Sequence, residues 1–176
     1  MNELIARLVK GNEQYLSSLN TIGDISLSKR KDTATNGQHP FVVIITCSDS
    51  RVIPEAIFNL GIGEAFVIRV AGNVVGECEL GSIEYAIDHL GCKLVLVLGQ
   101  THCGAIHSAI SNGHGKYVEY LLNPIKSAIK NEKDELKASE INAINSSNII
   151  RNNLNNPHIE VASAIYDIET GKVKLL

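Results

Sequence analysis

Three short segments of the chain are almost entirely apolar, and many of their residues are branched at Cβ. They are FVVIIT (41–46), AFVIRV (65–70) and KLVLVL (93–98). Successive apolar residues put apolar side chains on both faces of a strand, which is typical of parallel strands buried between helices. The pattern therefore predicts three interior strands of a parallel sheet.

The segments between these strands have helical features. Pro54 stands near the start of 54–60, and Gly91 follows 79–90 as a C-terminal stop. Strands that alternate with helices form α/β folds with right-handed crossovers. We therefore expect a doubly wound α/β fold, in which a mostly parallel β-sheet is flanked by helices.

The two ends of the chain show weaker patterns. At the start, apolar residues recur near helical spacing and predict an amphipathic helix, whereas 21–39 is polar and typical of a loop. Toward the end we predict a helix from 104 to 111, an interruption at Pro124, a long helix over 134–154, and a hairpin over 159–176 with its turn at 169–171. The apolar positions of the first helix are Leu4, Leu8, Tyr15 and Leu19.

Length and charge narrow the class of protein. A chain of 176 residues suits one compact domain, so we expect a single domain over 1–176. Its 16 basic and 19 acidic residues form no basic stripe, which argues against nucleic acid as a partner. The apolar runs are too short to cross a bilayer, and the N-terminus has no uninterrupted hydrophobic region of a secretory signal. We therefore expect a cytoplasmic protein without a membrane partner.

Two of the four cysteines follow predicted strands. Cys47 comes directly after the first strand and Cys103 shortly after the third. Ligands of parallel sheets collect beyond the carboxyl ends of the strands, and two thiolates there suit a soft metal ion such as zinc. The alternative is that both are ordinary buried thiols, which is the expected role of Cys78 and Cys92.

An acid and a base lie close together after Cys47. Asp49 and Arg51 are two residues apart in CSDSR. An arginine fork can hold a carboxylate ionised and oriented, as a hydrogen-bond acceptor for a metal-bound water or as a metal ligand. The alternative is an exposed ion pair, which contributes only about 0–1 kcal/mol.

Several of these segments together resemble a known family, the β-carbonic anhydrases. The resemblance is carried by CSDSR (47–51), RVAGN (69–73), LGSIEYAIDHLG (80–91), CGA (103–105), KGNEQYL (10–16) and IYDIETGKVKLL (165–176). These segments span nearly the whole chain. CSDSR together with the later CGA is a specific signal, whereas either alone is weak.

The resemblance implies an enzyme that interconverts carbon dioxide and bicarbonate as a homodimer or homotetramer, with one Zn²⁺ per subunit. It implies Cys47 and Cys103 as zinc ligands and Asp49 with Arg51 as a catalytic dyad. It also implies that Gln38 lines the substrate pocket and that the backbone N–H of Gly104 faces the site.

The chain departs from the family pattern at one zinc-ligand position. Gln100 stands where the family has a histidine, and His102 lies two residues too late to bind the same ion without a local rearrangement. The amide oxygen of Gln100 is a harder and weaker donor than imidazole, so zinc affinity should fall. Asp49 is a candidate to replace the lost ligand, which would close the site and exclude the reactive water.

Three functions follow from this pattern. The leading one is zinc-dependent reversible hydration of carbon dioxide, impaired by Gln100. A second is hydrolysis of carbonyl sulfide or carbon disulfide at a similar site. The third is a catalytically silent homologue with a structural or bicarbonate-binding role.

Overall fold

The sheet of this protein has five strands in the order β2-β1-β3-β4-β5. A computed structural model describes residues 2–17, 22–154 and 156–176. All neighbouring strands are parallel except the last pair, β4 and β5, which is antiparallel. The predicted α/β fold with a mostly parallel sheet and a C-terminal hairpin is therefore confirmed.

The three predicted strands form within one or two residues of the expected bounds. The bounds are β1 Val42–Thr46, β2 Ala65–Arg69 and β3 Leu94–Gln100, followed by β4 Glu160–Tyr166 and β5 Val173–Leu175. β1 lies between β2 and β3, so the two strands that precede Cys47 and Cys103 are hydrogen-bonded neighbours.

Seven helices pack around the sheet in the described residues. They are α1 Glu3–Ser17, α2 Leu27–Asn36, α3 Pro54–Ile57, α4 Glu77–Asp88, α5 Gly104–Ile110, α6 Glu119–Ile129 and α7 Glu135–Leu154. A short 3₁₀ turn, Ala71–Asn73, lies between β2 and α4. None of these helices is long and apolar enough to cross a membrane.

Apolar residues on both faces of the central strands explain the layered core. Val42 and Ile44 of β1 face the core beneath α1 and α3, whereas Val43 and Ile45 face the core beneath α4 and α7. A third apolar cluster joins α5 and α6 to Cys47 and Cys103. The sheet therefore fixes the backbone on either side of both cysteines.

The structure corrects three expectations from the sequence. The segment 21–39 is not all loop, because α2 forms there between an N-cap at Ser26 and Gly37, whose φ is 81°. Pro124 lies inside α6 and does not interrupt it. β2 is an edge strand with half-buried side chains, although its sequence predicted an interior strand.

The first helix and the C-terminal hairpin agree with their predictions. Leu4, Leu8 and Tyr15 of α1 pack against the core, whereas the predicted apolar position Leu19 lies outside the described residues. The chain reverses direction before β5 at Gly171, whose φ is 77°. Asn12 of α1 ties the helix to this turn, because its amide donates to the Gly171 carbonyl at 3.0 Å.

Candidate metal centre and active site

Two buried thiols lie at the point where the connections of the sheet change direction. β1 and β3 are adjacent, with Thr46 opposite Leu98, and Cys47 and Cys103 follow these strands. Crevices at such a point are where open α/β sheets bind their ligands. The two cysteines are 5% and 2% exposed, so the fold removes both thiols from solvent.

The environment of Cys47 favours its thiolate. The neighbouring Cys103 thiol, together with other nearby donors, lowers the pKa of Cys47 to about 5. One of those donors is the backbone N–H of Gly72, 3.2 Å from Cys47 Sγ. The proximity of Cys47 raises the pKa of Cys103, and burial raises it further. The pair therefore holds a single negative charge before any metal binds.

Asp49 is held by the arginine two residues along the chain. Arg51 Nε donates to Asp49 Oδ1 at 2.9 Å, and Arg51 Nη2 donates to Asp49 Oδ2 at 2.7 Å. This hydrogen bonding lowers the pKa of Asp49 to about 2. Arg51 Nη2 also donates to the carbonyl of His102 at 3.0 Å, which joins the loop after β1 to the loop after β3.

Gln100 ends β3 beside both of these groups. Its side chain lies close enough to Cys47 and Asp49 to favour their charged forms. Neither polar atom of its amide meets the geometry of a hydrogen bond, although the residue is fully buried. A buried amide without a partner is costly and needs an explanation, which a group bound at this point would supply.

Comparison with known proteins assigns this arrangement to a family. Residues 42–173 match the family model described as carbonic anhydrase, which is three quarters of the chain. The chain belongs to the β-carbonic anhydrase family. Cys47, Asp49, Arg51, Gln100 and Cys103 all lie within the matched region.

Individual β-carbonic anhydrases are similar over part or most of the chain. Carbonic anhydrase 2 of Mycobacterium tuberculosis is 42% identical over 104 residues, 59% of this chain and 50% of that protein. The chain thus spans about half the length of the curated relatives it matches. A tetrameric β-carbonic anhydrase from Sordaria macrospora superposes with a TM-score of 0.69 at 27% identity, covering 85% of this chain and 91% of that one.

A carbon disulfide hydrolase has the same fold. Its apo form superposes with a TM-score of 0.58 at 20% identity and covers 84% of this chain. At that identity the likeness concerns the architecture alone. The fold of the β-carbonic anhydrase family therefore does not by itself decide which small linear molecule this site accepts.

The donors in this β-carbonic anhydrase site fit zinc if the glutamine takes part. No three His, Cys, Asp or Glu side chains converge on one point within 2–17, 22–154 and 156–176. Cys47 and Cys103 would supply two sulfur donors, and the unpartnered amide of Gln100 would supply an oxygen. Three protein donors with a fourth position left open is the usual arrangement of catalytic zinc sites.

The remaining residues expected from the family pattern lie in different places. Gly104 begins α5 directly after Cys103, and an added Cβ there would meet nothing within 4 Å, so the backbone borders open space. Gln38 is exposed and lies beside Gly63 in a surface groove. His102 is exposed with a φ of 54° and meets the site only through its carbonyl.

The other two cysteines stand apart from this site. Cys78 is exposed on α4, and Cys92 is buried where its thiol donates to the Pro40 carbonyl at 3.1 Å. Burial raises the pKa of Cys92 to about 11, so it stays protonated near neutral pH. This agrees with the packing role expected for Cys92, whereas the same expectation is wrong for the exposed Cys78.

Sequence reasoning missed Arg69 as part of this site. Its Nη2 donates to the Asp49 carbonyl at 2.7 Å, and its Nε donates to the Cys47 carbonyl at 3.3 Å. Arg69 therefore fixes the backbone that carries both side chains. Its place at the start of RVAGN was visible, but only the pairing of β1 with β2 brings it opposite Thr46.

Proposed function

We propose that this protein catalyses the reversible hydration of carbon dioxide to bicarbonate with one zinc ion per subunit. Cys47, Cys103 and Gln100 hold the ion in this proposal, and Asp49 with Arg51 forms the catalytic dyad. The observation that carries it is the meeting of two buried thiols with an unpartnered buried amide beside an arginine-held carboxylate. Zinc, when bound, supplies a hydroxide nucleophile near neutral pH by lowering the pKa of water to about 7.

Asp49 orients the nucleophile in this proposal. Its pKa is held at about 2, so the carboxylate stays ionised at any physiological pH and accepts a hydrogen bond from the attacking water. Both oxygens of Asp49 already accept from Arg51, which keeps the carboxylate in place as an acceptor. We therefore propose that Asp49 stays with Arg51 and leaves the fourth metal position open.

Gln100 weakens the metal site in this proposal. An amide oxygen is a neutral, harder donor than imidazole and suits zinc less well. Mutating a residue that contacts a metal's ligands, without itself binding the metal, typically costs about 10- to 100-fold in affinity or activity. Replacing a ligand should cost at least as much.

The negative charge of the bicarbonate product is met in this proposal by donors at the rim of the site, among them the backbone N–H of Gly104.

A stopped-flow hydration assay on protein of measured zinc content tests the proposal. We expect hydration faster than buffer that scales with bound zinc and is lost in Cys47→Ser. Zinc-loaded protein no faster than buffer would instead favour the catalytically silent homologue. Sulfide release from carbonyl sulfide or carbon disulfide without carbon dioxide hydration would assign the site to hydrolysis of those isosteres.

We also propose that the chain assembles as a homodimer or homotetramer. The outer edge of β2 has no strand partner within the described residues, and Phe66, Val67 and Ile68 are half-buried there. An open, apolar strand edge is a template for pairing with another chain. The relative from Sordaria macrospora is tetrameric. Sedimentation velocity showing only a monomer at micromolar concentration would contradict this assembly.

A further inference from the structure

The buried face of α7 carries polar residues among its apolar ones. Ser139, Asn142, Ser146 and Ser147 lie on this face and are at most 3% exposed. Helices that cover a sheet normally present apolar residues to it. Buried polar side chains are costly without hydrogen bonds. Asn142, Ser146 and Ser147 have such bonds, whereas Ser139 Oγ has no partner among the described residues.

Two of these side chains hold the 3₁₀ turn next to the candidate metal centre. Asn142 Nδ2 donates to the carbonyl of Gly72 at 2.8 Å. Ser146 Oγ donates to the carbonyl of Asn73 at 3.1 Å. Helix α7 therefore fixes the Ala71–Asn73 turn from behind, although the bonded residues are 70 and 73 positions apart in sequence.

The same turn contacts a thiol of the site directly. The N–H of Gly72 donates to Cys47 Sγ at 3.2 Å. Gly72 has a φ of 70°, and a Cβ there would lie 2.7 Å from Ile125 Cδ1. The turn thus approaches the sulfur through a backbone conformation that favours glycine. A chain of two hydrogen bonds runs from Asn142 through the Gly72 residue to the Cys47 sulfur.

We propose that Asn142 is a positioning residue for Cys47. It holds the Gly72 carbonyl so that the N–H of the same residue stays on the sulfur and fixes the direction in which the sulfur points. The effect of this positioning on metal binding rests on the proposed zinc function. Groups that orient a ligand without touching the metal typically change metal affinity or activity by about 10- to 100-fold.

The test compares Asn142→Leu with Ser147→Ala. Leucine is close in shape to asparagine but cannot donate to the Gly72 carbonyl. Ser147 is an equally buried residue of α7 whose hydroxyl bonds to β4, 2.6 Å from the hydroxyl of Ser163. The first readout is the hydrogen-exchange rate of the Gly72 amide in metal-free protein, relative to the Val95 amide within β3. The second is affinity for Co²⁺, followed by its sulfur-to-metal absorption band.

We expect Asn142→Leu to raise the Gly72 exchange rate relative to Val95 and to weaken Co²⁺ binding by about 10- to 100-fold. Ser147→Ala should change neither the exchange rate of Gly72 relative to Val95 nor the affinity for Co²⁺, even if it lowers the melting temperature. Unchanged relative exchange at Gly72 in folded Asn142→Leu would overturn the proposal. If Asn142→Leu does not fold, Asn142→Ala is judged by the same comparison.

The two readouts separate this proposal from the proposed function. If the wild type binds no Co²⁺ but Asn142→Leu still speeds exchange at the Gly72 amide, the positioning role holds and the metal site is contradicted. If the wild type and Asn142→Leu bind Co²⁺ equally tightly and the Gly72 amide exchanges at the same relative rate in both, only the positioning role is contradicted.

Discussion

Arg51 and Asp49 form a two-pronged ion pair in which Nε donates to Oδ1 at 2.9 Å and Nη2 donates to Oδ2 at 2.7 Å. Such a fork fixes the plane of the carboxylate as well as its charge. Because Arg51 also donates to the His102 carbonyl, the fork is tied to the residue before Cys103. The pair therefore couples the orientation of the acid to the loop that carries one of the thiols.

Replacing Arg51 by lysine tests this orientation. A lysine ammonium cannot span both carboxylate oxygens, so Asp49 loses its fixed plane while the positive charge remains. We expect kcat/KM for carbon dioxide hydration to fall by about 10- to 100-fold with zinc content unchanged. Arg7→Lys is the matched control. Arg7, on α1, forms an ion pair with Glu64 in the loop before β2, away from the site. Equal losses in both variants would contradict the account.

The thiolate of Cys47 should be visible in metal-free protein. Since the pKa of Cys47 is about 5, the far-ultraviolet absorbance of a thiolate should rise with a midpoint near that pH. Cys47→Ser should remove this step, whereas Cys92→Ser should leave it, because burial raises the pKa of Cys92 to about 11. If the first rise in thiolate absorbance instead has its midpoint near pH 9.0, the ordinary value for cysteine, the described proximity of Cys103 to Cys47 is contradicted.

The same shift predicts a pH-dependent stability. The pKa of Cys47 is lower in the folded chain than the ordinary value of 9.0, so between pH 5 and 9 the folded state binds fewer protons. This contribution to the free energy of unfolding is complete above the unfolded pKa and is lost as the pH falls toward 5. Urea unfolding of metal-free protein should show this slope, and Cys47→Ser should flatten it.

Two glycines give opposite predictions for alanine substitution. At Gly72, where φ is 70°, an added Cβ would lie 2.7 Å from Ile125 Cδ1 and 3.0 Å from Ala105 Cβ. We expect Gly72→Ala to destabilise the protein by more than about 1 kcal/mol. Gly81 lies inside α4 and has nothing within 4 Å of an added Cβ, so Gly81→Ala should stabilise by up to about 1 kcal/mol. Chemical denaturation of both variants measures the difference, and a neutral Gly72→Ala would contradict the close contact.

Gln100→His tests the altered ligand position. Imidazole is a better donor for zinc than an amide oxygen, so the substitution should raise zinc affinity by about 10- to 100-fold or more. Competition with a zinc chelator measures this. Gln100→Leu, which keeps the volume but removes the oxygen, should lower the affinity below that of the wild type. If all three proteins bind zinc equally, Gln100 is not part of the site.

The sequence predicted the sheet well because its evidence is local. The apolar runs that became β1 and β3 are buried on both faces, and the cysteines that follow them lie together because those strands are neighbours. Helix α2 was missed because it has no buried residue, so no apolar face marks it. Its only local signals are the cap at Ser26 and the stop at Gly37.

The inner parts of the site could not be predicted in the same way. Arg69 reaches the loop after β1 only because β2 pairs with β1, and Asn142 reaches Gly72 only because α7 packs behind the 3₁₀ turn. Such contacts join residues that are distant in the chain, and one sequence gives no measure of which distant residues meet.

X-ray absorption at the zinc edge tests the central claim most directly. For zinc-loaded wild-type protein we expect two sulfur neighbours at about 2.3 Å together with lighter oxygen neighbours, and loss of one sulfur in Cys103→Ser. A spectrum without sulfur neighbours, or protein that retains no zinc after loading and gel filtration, would contradict the assignment of Cys47 and Cys103 as the metal ligands.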